Sequence, residues 1–519
     1  MSSRTYKDAI EHLNSLQSNA ATLEAVRASG GSLSTMAIPE MLEYLGRIGY
    51  RPEDLNALNA IHITGTKGKG STSAFTNSVL QSARPDWKIG LYTSPHLVAV
   101  RERIRINGRP LPEEDFTRFF FEVWDKLQEN TQRQHENTSL MPGYFRFLTL
   151  LAFHTFLKMK VDATVLEVGV GGTYDSTNIV PKPVVTGITA LGIDHVFVLG
   201  NTLEQIAWQK GGIYKEGVPA LTVNQPENGL KILRERAEEL KACKSHIAHI
   251  RSTLNVSQAS EFEVVDPIPE LASIRLGLAG DHQVQNATLA VHLSKRFLTS
   301  SSSVDEDTSL PETFRSGLVN TKWPGRCQTV IDPSHPETSW YLDGAHTAES
   351  LDCCMRWFVS ANAALGSSKP KSRQRVLIFN CTSGRSGPSF LTAMHATSDA
   401  QLKANHSDIN PESFFDRVIF CTNITYADGK FKGDLTTVAL ADDDVKQLKT
   451  QNQLADAWLS LLPDFPKDKI HVLPSIEHAI GVVRGLESND SSGVDVLVTG
   501  SLHLIGGVIE VAGLSEIAL

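Results

Sequence analysis

Short, continuously apolar segments alternate with longer segments of helical periodicity between about residues 60 and 298. Four apolar segments predict strands, at Ala60–Thr64, Lys88–Thr93, Ala163–Val168 and Val184–Ala190. Apolar residues at helical spacing predict helices at Phe145–Lys158, Thr202–Lys210, Gly229–Leu240 and Asn286–Phe297. Strands without polar alternation are typical of parallel sheets that are covered on both faces. The pattern therefore predicts an α/β layered domain with a mainly parallel sheet.

A polar tract over 299–309 interrupts this pattern, and a second α/β series follows it. The strands predicted there are Trp340–Leu342, Val376–Asn380, Arg417–Cys421, Ile470–Leu473 and Val494–Thr499. Because 519 residues exceed one ordinary core, we expect two domains. We place them at 1–298 and 326–519, with a linker at 299–325. Polar inserts at 128–139 and 400–412 predict mobile surface loops.

Composition narrows the class of protein. Apolar residues make up 41% and charged residues 21% of the chain, as in soluble globular enzymes. The net charge of −9 gives no general attraction to nucleic acid. No apolar run reaches the roughly 18 residues that span a bilayer, and the first residues lack the apolar core of a secretory signal. The six cysteines form no Cys-x-x-Cys pair, so we expect reduced thiols in a cytoplasmic protein. Nothing in the sequence demands an oligomer, and we expect a monomer.

A glycine- and lysine-rich loop follows the first predicted strand. Its residues are Gly65, Thr66, Lys67, Gly68, Lys69, Gly70 and Ser71, and a stretch compatible with a helix follows. Glycines let the backbone approach phosphates, a lysine adds positive charge, and a serine hydroxyl can reach a bound magnesium ion. The spacing departs from the usual P-loop, because Gly70 separates Lys69 from Ser71. We still predict a nucleotide phosphate site, since a plain turn needs no pair of lysines among its glycines.

Polar residues also follow other predicted strands, and ligands bind outside the carboxyl ends of strands in open parallel sheets. Ser94 follows the second strand, and His195 follows the fourth. Glu167 lies within an apolar strand, where a carboxylate is unfavourable unless it is paired or binds a metal. Beside a phosphate loop we favour a magnesium ligand for Glu167, with a salt-bridged or hydrogen-bonded structural glutamate as the alternative. His195 is either a metal ligand or a core histidine. Magnesium prefers oxygen ligands, which makes a histidine the less expected ligand.

Other candidates carry weaker signals. Lys210 stands at the end of a predicted helix, where a lysine is usually a solvated residue favoured by the helix dipole. Asp343 and His346 lie on a turn after a predicted strand, where they can face one ligand or form an ordinary polar turn. Arg326 lies at the expected domain junction, and a guanidinium there can bind phosphate with two hydrogen bonds. The basic segment Arg101–Arg109 is either a strand with one charged, solvated face or a surface for an anionic substrate.

Taken together, these motifs resemble one family, folylpolyglutamate synthase, among the Mur-ligase-like ATP-dependent amide ligases. Their order and spacing cover nearly the whole chain, and the likeness is greatest to eukaryotic members. The matching motifs are GTKGKGS (65–71), TSPHL (93–97), RERIRINGR (101–109), MPGYFRFLTL (141–150), LEVGVGGTYDSTNI (166–179), LGIDH (191–195), IAWQKGGI (206–213), WPGR (323–326), YLDGAHT (341–347) and VTGSLHLIGG (498–507). The resemblance implies an N-terminal P-loop-type ATPase domain and a smaller C-terminal Rossmann-like domain.

The resemblance also implies a reaction. ATP phosphorylates the γ-carboxylate of tetrahydrofolate or its polyglutamates, and the amino group of L-glutamate then displaces phosphate from the acyl phosphate. The products are a γ-linked amide, ADP and phosphate, and the activity retains folates for one-carbon metabolism. The implied cofactors are ATP and Mg²⁺, with a monovalent cation such as K⁺ as a further one. Members of the family often have a mitochondrial pool besides the cytoplasmic one.

Roles for individual residues follow from the same resemblance. ATP is bound by Gly65, Thr66, Lys67, Gly68, Lys69, Gly70, Ser71, Asn286, Arg326 and Asp343. Ser94, Glu167 and His195 match the family's magnesium positions. The resemblance thus makes His195 a metal ligand, although magnesium prefers oxygen. Lys210 matches a lysine that is carbamylated in related ligases, and His346 matches a residue near the glutamate, so that Lys210, Asp343 and His346 form the expected catalytic set. Folate contacts are expected from Pro95, His96, Arg101 and Arg103.

Three alternatives remain at the level of sequence. Dihydrofolate synthase, which adds the first glutamate to dihydropteroate, shares the catalytic motifs. A P-loop kinase or a GTPase-like switch would need no second α/β domain, and a GTPase would show an Asn-Lys-x-Asp motif, which this chain lacks. A non-catalytic nucleotide-binding protein would not need Lys69, Glu167, His195 and Asp343 together.

Overall fold

The computed structural model describes residues 4–17, 36–136, 138–242, 262–300, 309–363, 373–381, 387–428, 448–487 and 493–519. Contacts between Cα atoms divide the chain into two compact units. The first comprises Met1–His96, Arg101–Gly277 and His282–Lys322, and the second comprises Leu97–Val100, Leu278–Asp281 and Trp323–Leu519. The main change of unit falls between Lys322 and Trp323. The domain limits at 298 and 326 stay a prediction, and most of the polar tract lies outside the described residues.

An eight-stranded sheet forms the centre of the first unit. Its strands are β1 (Ala60–Thr64), β2 (Ile89–Tyr92), β3 (Ile104–Ile106), β4 (Arg109–Pro110), β5 (Ala163–Glu167), β6 (Val185–Ile188), β7 (Ala220–Thr222) and β8 (Phe262–Val264). They lie in the order β4-β3-β2-β5-β1-β6-β7-β8, and only the pairs β2–β3 and β3–β4 are antiparallel. Every residue of β1 and β5 is buried. The α/β prediction is therefore confirmed, and the four predicted strands are present with ends shifted by no more than two residues.

Helices accompany this sheet. They are α1 (Tyr6–Ser15), α2 (Ala37–Arg47), α3 (Lys69–Ala83), α4 (Glu113–Glu129), α5 (Tyr144–Met159), α6 (Val196–Leu199), α7 (Leu203–Gly211), α8 (Glu227–Glu239), α9 (His282–Ser300) and α10 (Glu312–Asn320). The predicted helices are confirmed within a few residues, whereas α2, α4, α6 and α10 were not predicted. Helix α10 follows the polar tract. It packs on α3, where the Ser78 hydroxyl donates to the Gly317 carbonyl at 2.7 Å. Across the described residues, no helix combines the length and the apolar character that crossing a bilayer requires.

The basic segment Arg101–Arg109 does not present a charged face to solvent, so that alternative is wrong. A turn at Asn107 and Gly108, both with positive φ, joins β3 to β4. The side chains of Arg103 and Arg105 are buried, each with 3% of the residue exposed. Arg105 is satisfied locally, because its Nε donates to the Glu102 carbonyl at 3.1 Å and its Nη1 to the Gly108 carbonyl at 3.1 Å.

The polar insert at 128–139 is anchored to α2. Arg47, at the end of that helix, donates to the carbonyl oxygens of Leu127, Asn130 and Leu140 at 2.6–2.8 Å. Glu43, one turn earlier, accepts from the Thr138 hydroxyl at 3.2 Å. Both ends of the insert are therefore held by one buried guanidinium.

The second unit contains a six-stranded sheet. Its strands are β9 (Gln328–Ile331), β10 (Thr338–Leu342), β11 (Gln374–Phe379), β12 (Arg417–Cys421), β13 (Ile470–Leu473) and β14 (Val494–Thr499), in the order β13-β12-β11-β14-β10-β9. Only β9 is antiparallel to its neighbour. Trp340 and Leu342 join the hydrophobic cluster on one face, and Tyr341 joins the cluster on the other. All five predicted strands are confirmed, and both faces of the sheet are covered as expected for parallel strands.

Helices of the second unit follow its strands. They are α11 (Ala348–Ala363), α12 (Gly387–Ala404), α13 (Lys449–Leu461), α14 (Ile476–Glu487), α15 (Leu502–Val511) and α16 (Ser515–Ala518). The insert predicted at 400–412 begins inside α12 and ends in a single 3₁₀ turn at Pro411–Ser413.

Candidate active site

The glycine loop leaves β1 at its carboxyl end and leads directly into α3. The backbone N–H groups of Thr66 and Lys67 both donate to the Ala190 carbonyl, at 3.0 and 3.1 Å. The Thr189 hydroxyl donates to the Lys67 carbonyl at 2.7 Å, which closes the loop from the other side. The N–H groups of Thr66 and Lys67 therefore already donate hydrogen bonds within the protein. The amides available to an anion are those of the first turn of α3, where the helix dipole also favours negative charge.

Gly68 is the residue that turns the chain into α3. It has φ 90° and ψ −6°, a left-handed conformation that favours glycine. A Cβ built on it would overlap the side chain of Asn286. Asn286 donates to Gln283 at 2.9 Å, and Gln283 lies 3.4 Å from the Ser71 hydroxyl. The structure therefore brings Asn286 against the glycine loop, and it adds Gln283, which the sequence analysis did not single out.

Two lysines converge on the Gly65 carbonyl. Lys69 Nζ lies 3.0 Å from this oxygen, and Lys210 Nζ lies 2.7 Å from it. Lys210 is buried, with 3% of the residue exposed, so the expectation of a solvated lysine at a helix end is wrong. Burial lowers the pKa of Lys210 well below its ordinary value, and the positive charge of Lys69 lowers it further. The Lys69 ammonium thus places positive charge next to backbone that an anion can approach.

Glu167 is the last residue of β5 and has 3% of its surface exposed. Its Oε2 accepts a hydrogen bond from the Ser94 N–H at 2.9 Å. The parallel register of β2 and β5 explains this contact, because Tyr92 lies opposite Leu166 and both chains leave the sheet together. The structure therefore brings Ser94 and Glu167 into contact at the carboxyl edge of the sheet.

His195 follows β6 and precedes the single turn α6, with φ 49°. Partial burial lowers the pKa of His195, and Asp194 opposes that shift while Lys69 and Lys210 add to it. The positive charges of Lys69 in the loop and Lys210 on α7 therefore both act on His195. Among the described residues, no group of three His, Cys, Asp or Glu side chains is close enough to hold a metal ion. Of the three predicted magnesium ligands, Glu167 and His195 are of these residue types and Ser94 is not, so the magnesium site stays a prediction.

Asp175, a residue missed at the sequence level, holds the loop that follows Glu167. Its Oδ2 accepts from the N–H groups of Gly169 and Val170, both at 3.1 Å. Its Oδ1 accepts from the N–H and the hydroxyl of Thr177, at 3.0 and 2.6 Å. An Asx-type residue followed two positions later by threonine is a local signal for such a turn, but only the fold shows which loop it fixes.

Arg103 and His96, both expected to contact folate, contact each other. Arg103 Nε donates to His96 Nδ1 at 2.8 Å, and the Arg103 guanidinium lies 5.5 Å from the centre of the Phe145 ring. Phe145 is 65% exposed although it is large and apolar. Pro95 is exposed, and Arg101 is held by the Leu111 carbonyl at 3.3 Å.

In the second unit, Asp343 directly follows β10 and is bound by backbone groups. Its Oδ2 accepts from the Cys327 N–H at 2.7 Å, and its Oδ1 accepts from the Ala345 N–H at 2.9 Å. His346 Nδ1 lies 2.7 Å from the Gly344 carbonyl, which accepts only, so this nitrogen carries the proton and Nε2 is the basic one. Arg326 precedes Cys327 and is partly exposed. The structure thus gathers the Arg326 loop and the Asp343 turn within one unit.

A glycine loop that opens a helix at the carboxyl edge of a parallel sheet, with a buried lysine and carboxylate nearby, is the architecture of nucleotide-binding α/β enzymes. No protein-family profile matches the chain. Folylpolyglutamate synthases of Saccharomyces cerevisiae strains AWRI796 and ATCC 204508 / S288c are each 44% identical over 525 aligned positions, which cover 98% of this chain and 87% of theirs. The chain therefore belongs to the folylpolyglutamate synthase family, a family of ligases, and the resemblance drawn from the motifs is confirmed.

Solved structures agree on the fold. Mycobacterium tuberculosis folylpolyglutamate synthase, complexed with ADP and AMPPCP, aligns with a TM-score of 0.63 at 22% identity, over 92% of this chain and 95% of that one. The apo form of the L. casei enzyme aligns with a TM-score of 0.62 at 21% identity, over 98% and 99% of the two chains. An FPGS–AMPPCP–folate complex aligns with a TM-score of 0.59 at 21% identity over the same shares.

Proposed function

We propose that this protein is an ATP-dependent ligase that adds L-glutamate to the γ-carboxylate of tetrahydrofolate and its polyglutamates. Identity of 44% over 98% of the chain with the yeast folylpolyglutamate synthases supports this assignment. The geometric observation that carries it is the position of the Lys69 ammonium in the glycine loop, 3.0 Å from the Gly65 carbonyl. An acyl phosphate is formed between two anionic partners, so positive charge must already be present where they meet.

The glycine loop and Asn286 bind the ATP phosphates in this proposal. The first-turn amides of α3 and the Lys69 ammonium hold the β- and γ-phosphates, and the Ser71 hydroxyl adds a polar contact. Arg326 and Asp343 of the second unit are assigned to ATP, and His346 to the incoming glutamate, on the family resemblance alone. The tautomer of His346 suits it to accept a proton from an ammonium group through Nε2.

Magnesium fits the donor chemistry at Ser94 and Glu167. A buried carboxylate and a neighbouring hydroxyl provide the oxygen ligands that this ion prefers, and His195 is the nitrogen ligand that the resemblance adds. A bound Mg²⁺ would neutralise charge on the phosphates. A monovalent cation such as K⁺ belongs to the same proposal. We assign folate to the surface of Pro95, His96, Arg101 and Arg103.

Lys210 is proposed to act as a carbamate. Its unprotonated amine would attack carbon dioxide and lose one proton, which leaves a carbamate anion. The lowered pKa of Lys210 favours this step, because it raises the unprotonated fraction near neutral pH. In a Lys210→Ala variant we expect formate to restore part of the activity, since it supplies the missing carboxylate.

Lys215 provides the matched control for this rescue. It is also largely buried, its Nζ donates to the Asn178 carbonyl at 2.9 Å, and burial lowers its pKa to about 8. Formate should not restore activity to Lys215→Ala. Equal rescue of both variants, or of neither, would reject the carbamate on Lys210.

The assignment is tested by ATP-dependent incorporation of labelled glutamate, with tetrahydrofolate and dihydropteroate as parallel acceptors. Release of phosphate is followed in both reactions. Incorporation into tetrahydrofolate alone supports the polyglutamate ligase, and incorporation into dihydropteroate alone moves the assignment to dihydrofolate synthase. Failure with both acceptors would reject the proposed ligase. We also propose cytoplasmic and mitochondrial pools, which cell fractionation would detect.

A further inference from the structure

The glycine-rich loop after β5 packs against the end of α7, the helix that carries Lys210. The Thr173 N–H and hydroxyl both donate to the Gln209 carbonyl, at 2.8 and 3.0 Å. A Cβ built on Gly172 would lie only 2.8 Å from the carbonyl oxygens of both Gln209 and Lys210. A Cβ on Gly212 would overlap the Thr173 hydroxyl. The loop therefore lies directly against the backbone of the helix end, with no room for side chains between them.

Asn178 joins these two segments through a single side-chain amide. Its Nδ2 donates to the Thr173 carbonyl at 3.1 Å and to the Gly212 carbonyl at 3.0 Å. Both partners are carbonyls, which only accept, so the orientation of the amide is fixed. Gly212 is the C-cap of α7 and follows Lys210 by two positions. One side chain thus ties the loop to the helix end that carries the lysine.

The surroundings of Asn178 indicate that its donor hydrogens are what matters. The residue is buried, with 8% of its surface exposed, and its Oδ1 has no hydrogen-bond partner among the described residues. A buried acceptor without a partner is unfavourable, so packing alone does not explain an amide at this position. The backbone of Asn178 is held as well, because its N–H donates to the Asp175 carbonyl and its carbonyl accepts from Lys215 Nζ, both at 2.9 Å. The two donor hydrogens therefore project from a fixed backbone.

The environment of Lys210 depends on this packing. Its Nζ reaches the Gly65 carbonyl at 2.7 Å from the last turn of α7. Burial is the main cause that lowers the pKa of Lys210; Lys69 lowers it further, whereas Asp194 and Asp175 oppose the shift. If the end of α7 moved away from the loop, water would reach the amine and the pKa would rise.

We propose that Asn178 is a positioning residue for Lys210, in which its amide holds the end of α7 against the loop and so keeps the lysine Nζ at the Gly65 carbonyl. The proposal rests on the function proposed above, which assigns a carbamate to Lys210. Asn178 touches neither substrate nor nucleotide in this role. It acts through the carbonyls of Thr173 and Gly212.

The test replaces Asn178 by alanine and measures the pKa of Lys210 directly. Lysine isotopically labelled at Cε is titrated by NMR in the complete protein, in buffer free of carbon dioxide, and Lys210→Arg assigns the signal. We expect the pKa of Lys210 to rise toward its ordinary value in Asn178→Ala, because the released helix end admits water. Turnover should fall about tenfold, as for the loss of one hydrogen bond, while KM for ATP and for tetrahydrofolate stays within about twofold of the wild type.

Two further variants give the experiment its controls. Asn362 is an equally buried asparagine on α11, 7% exposed, and its Nδ2 donates to a carbonyl of the same helix at 3.0 Å. Asn362→Ala should leave both the pKa of Lys210 and turnover unchanged. Thr173→Val removes the hydroxyl bond to Gln209 but keeps the N–H bond, so it should shift the pKa of Lys210 in the same direction by less. This milder variant decides the question if Asn178→Ala does not fold.

A double-mutant cycle separates positioning from a general structural role. In a Lys210→Ala background, adding Asn178→Ala should leave the residual turnover unchanged if Asn178 acts through Lys210. An unchanged pKa of Lys210 in Asn178→Ala, a further loss of turnover in the Lys210→Ala background, or an equal effect of Asn362→Ala would overturn the proposal. If the wild type ligated no glutamate but Asn178→Ala still raised the pKa of Lys210, the ligase assignment would fail and the positioning of Lys210 by Asn178 would stand.

Discussion

Replacement of Gly68 by alanine tests the geometry of the glycine loop. Gly68 has φ 90°, and an alanine in that region is strained by about 1–2 kcal/mol. A Cβ would also meet the Asn286 side chain, lying 3.0 Å from its Cγ and closer still to its Oδ1. Asn286 would have to shift and lose its hydrogen bond to Gln283, which contributes about 1 kcal/mol. We therefore expect Gly68→Ala to destabilise the protein by about 2–3 kcal/mol.

Gly217 provides a matched control in the same unit. Its φ is 71°, but no atom lies within 4 Å of a Cβ built there. Gly217→Ala should therefore show the backbone strain alone, about 1–2 kcal/mol. The difference between the two variants isolates the overlap with Asn286. Asn286→Ala should cost about 1 kcal/mol in the wild type but little in the Gly68→Ala background, where its hydrogen bond to Gln283 is already lost.

Urea unfolding measures these stabilities, and titration with AMPPCP measures nucleotide affinity. We expect affinity to fall about tenfold or more in Gly68→Ala, because the first turn of α3 shifts and one contact to a charged phosphate weakens. Affinity should be unchanged in Gly217→Ala. Equal destabilisation of the two variants, with normal affinity in Gly68→Ala, would refute the reasoning.

Three shorter predictions concern buried side chains. Glu167→Gln can keep the hydrogen bond from the Ser94 N–H, so the free energy of unfolding should change by about 1 kcal/mol or less, while turnover falls about 100-fold. Thermal unfolding measures the stability, and glutamate incorporation measures the turnover. Near-normal turnover would remove Glu167 from the site. Burial lowers the pKa of His62 to about 3, below its unfolded value of 6.5. The free energy of unfolding should therefore fall by about 1.4 kcal/mol per pH unit as the pH drops from 6.5 toward 3. Urea unfolding at several pH values measures this, and the free energy of unfolding of His62→Gln should depend less steeply on pH. Arg103→Lys loses the bond from Nε to His96, so KM for folate should rise about tenfold with KM for ATP unchanged.

The elements were largely predictable because apolar runs and helical spacing are local properties. β1, β12 and β14 have the bounds that their apolar runs indicate. Helix α10 was missed because its segment follows a polar tract, and its stability comes from packing on α3 rather than from its own pattern.

The site was predictable by residue type but not by environment. The helix dipole argues for a solvated Lys210, yet α7 ends next to the glycine loop, where the Gly65 carbonyl accepts a hydrogen bond from Lys210 Nζ. The contact between Glu167 and Ser94 depends on the register of β2 and β5, which no local pattern encodes. Asp175 and Asp343 accept hydrogen bonds from backbone amides, of Gly169 and Cys327 among others, that only the folded chain brings to them.

The guanidinium of Arg47 has a consequence for variation in chain length. It holds the carbonyls at both ends of the insert at 128–139, so the geometry with which the chain enters α5 does not depend on the number of residues between those ends. Closing a longer loop is thermodynamically cheap, since doubling its length costs about 0.6 kcal/mol. Evolution can therefore lengthen this insert, and an engineer can place a tag in it, without disturbing the helix that presents Phe145. Loss of Arg47 would instead release both ends together.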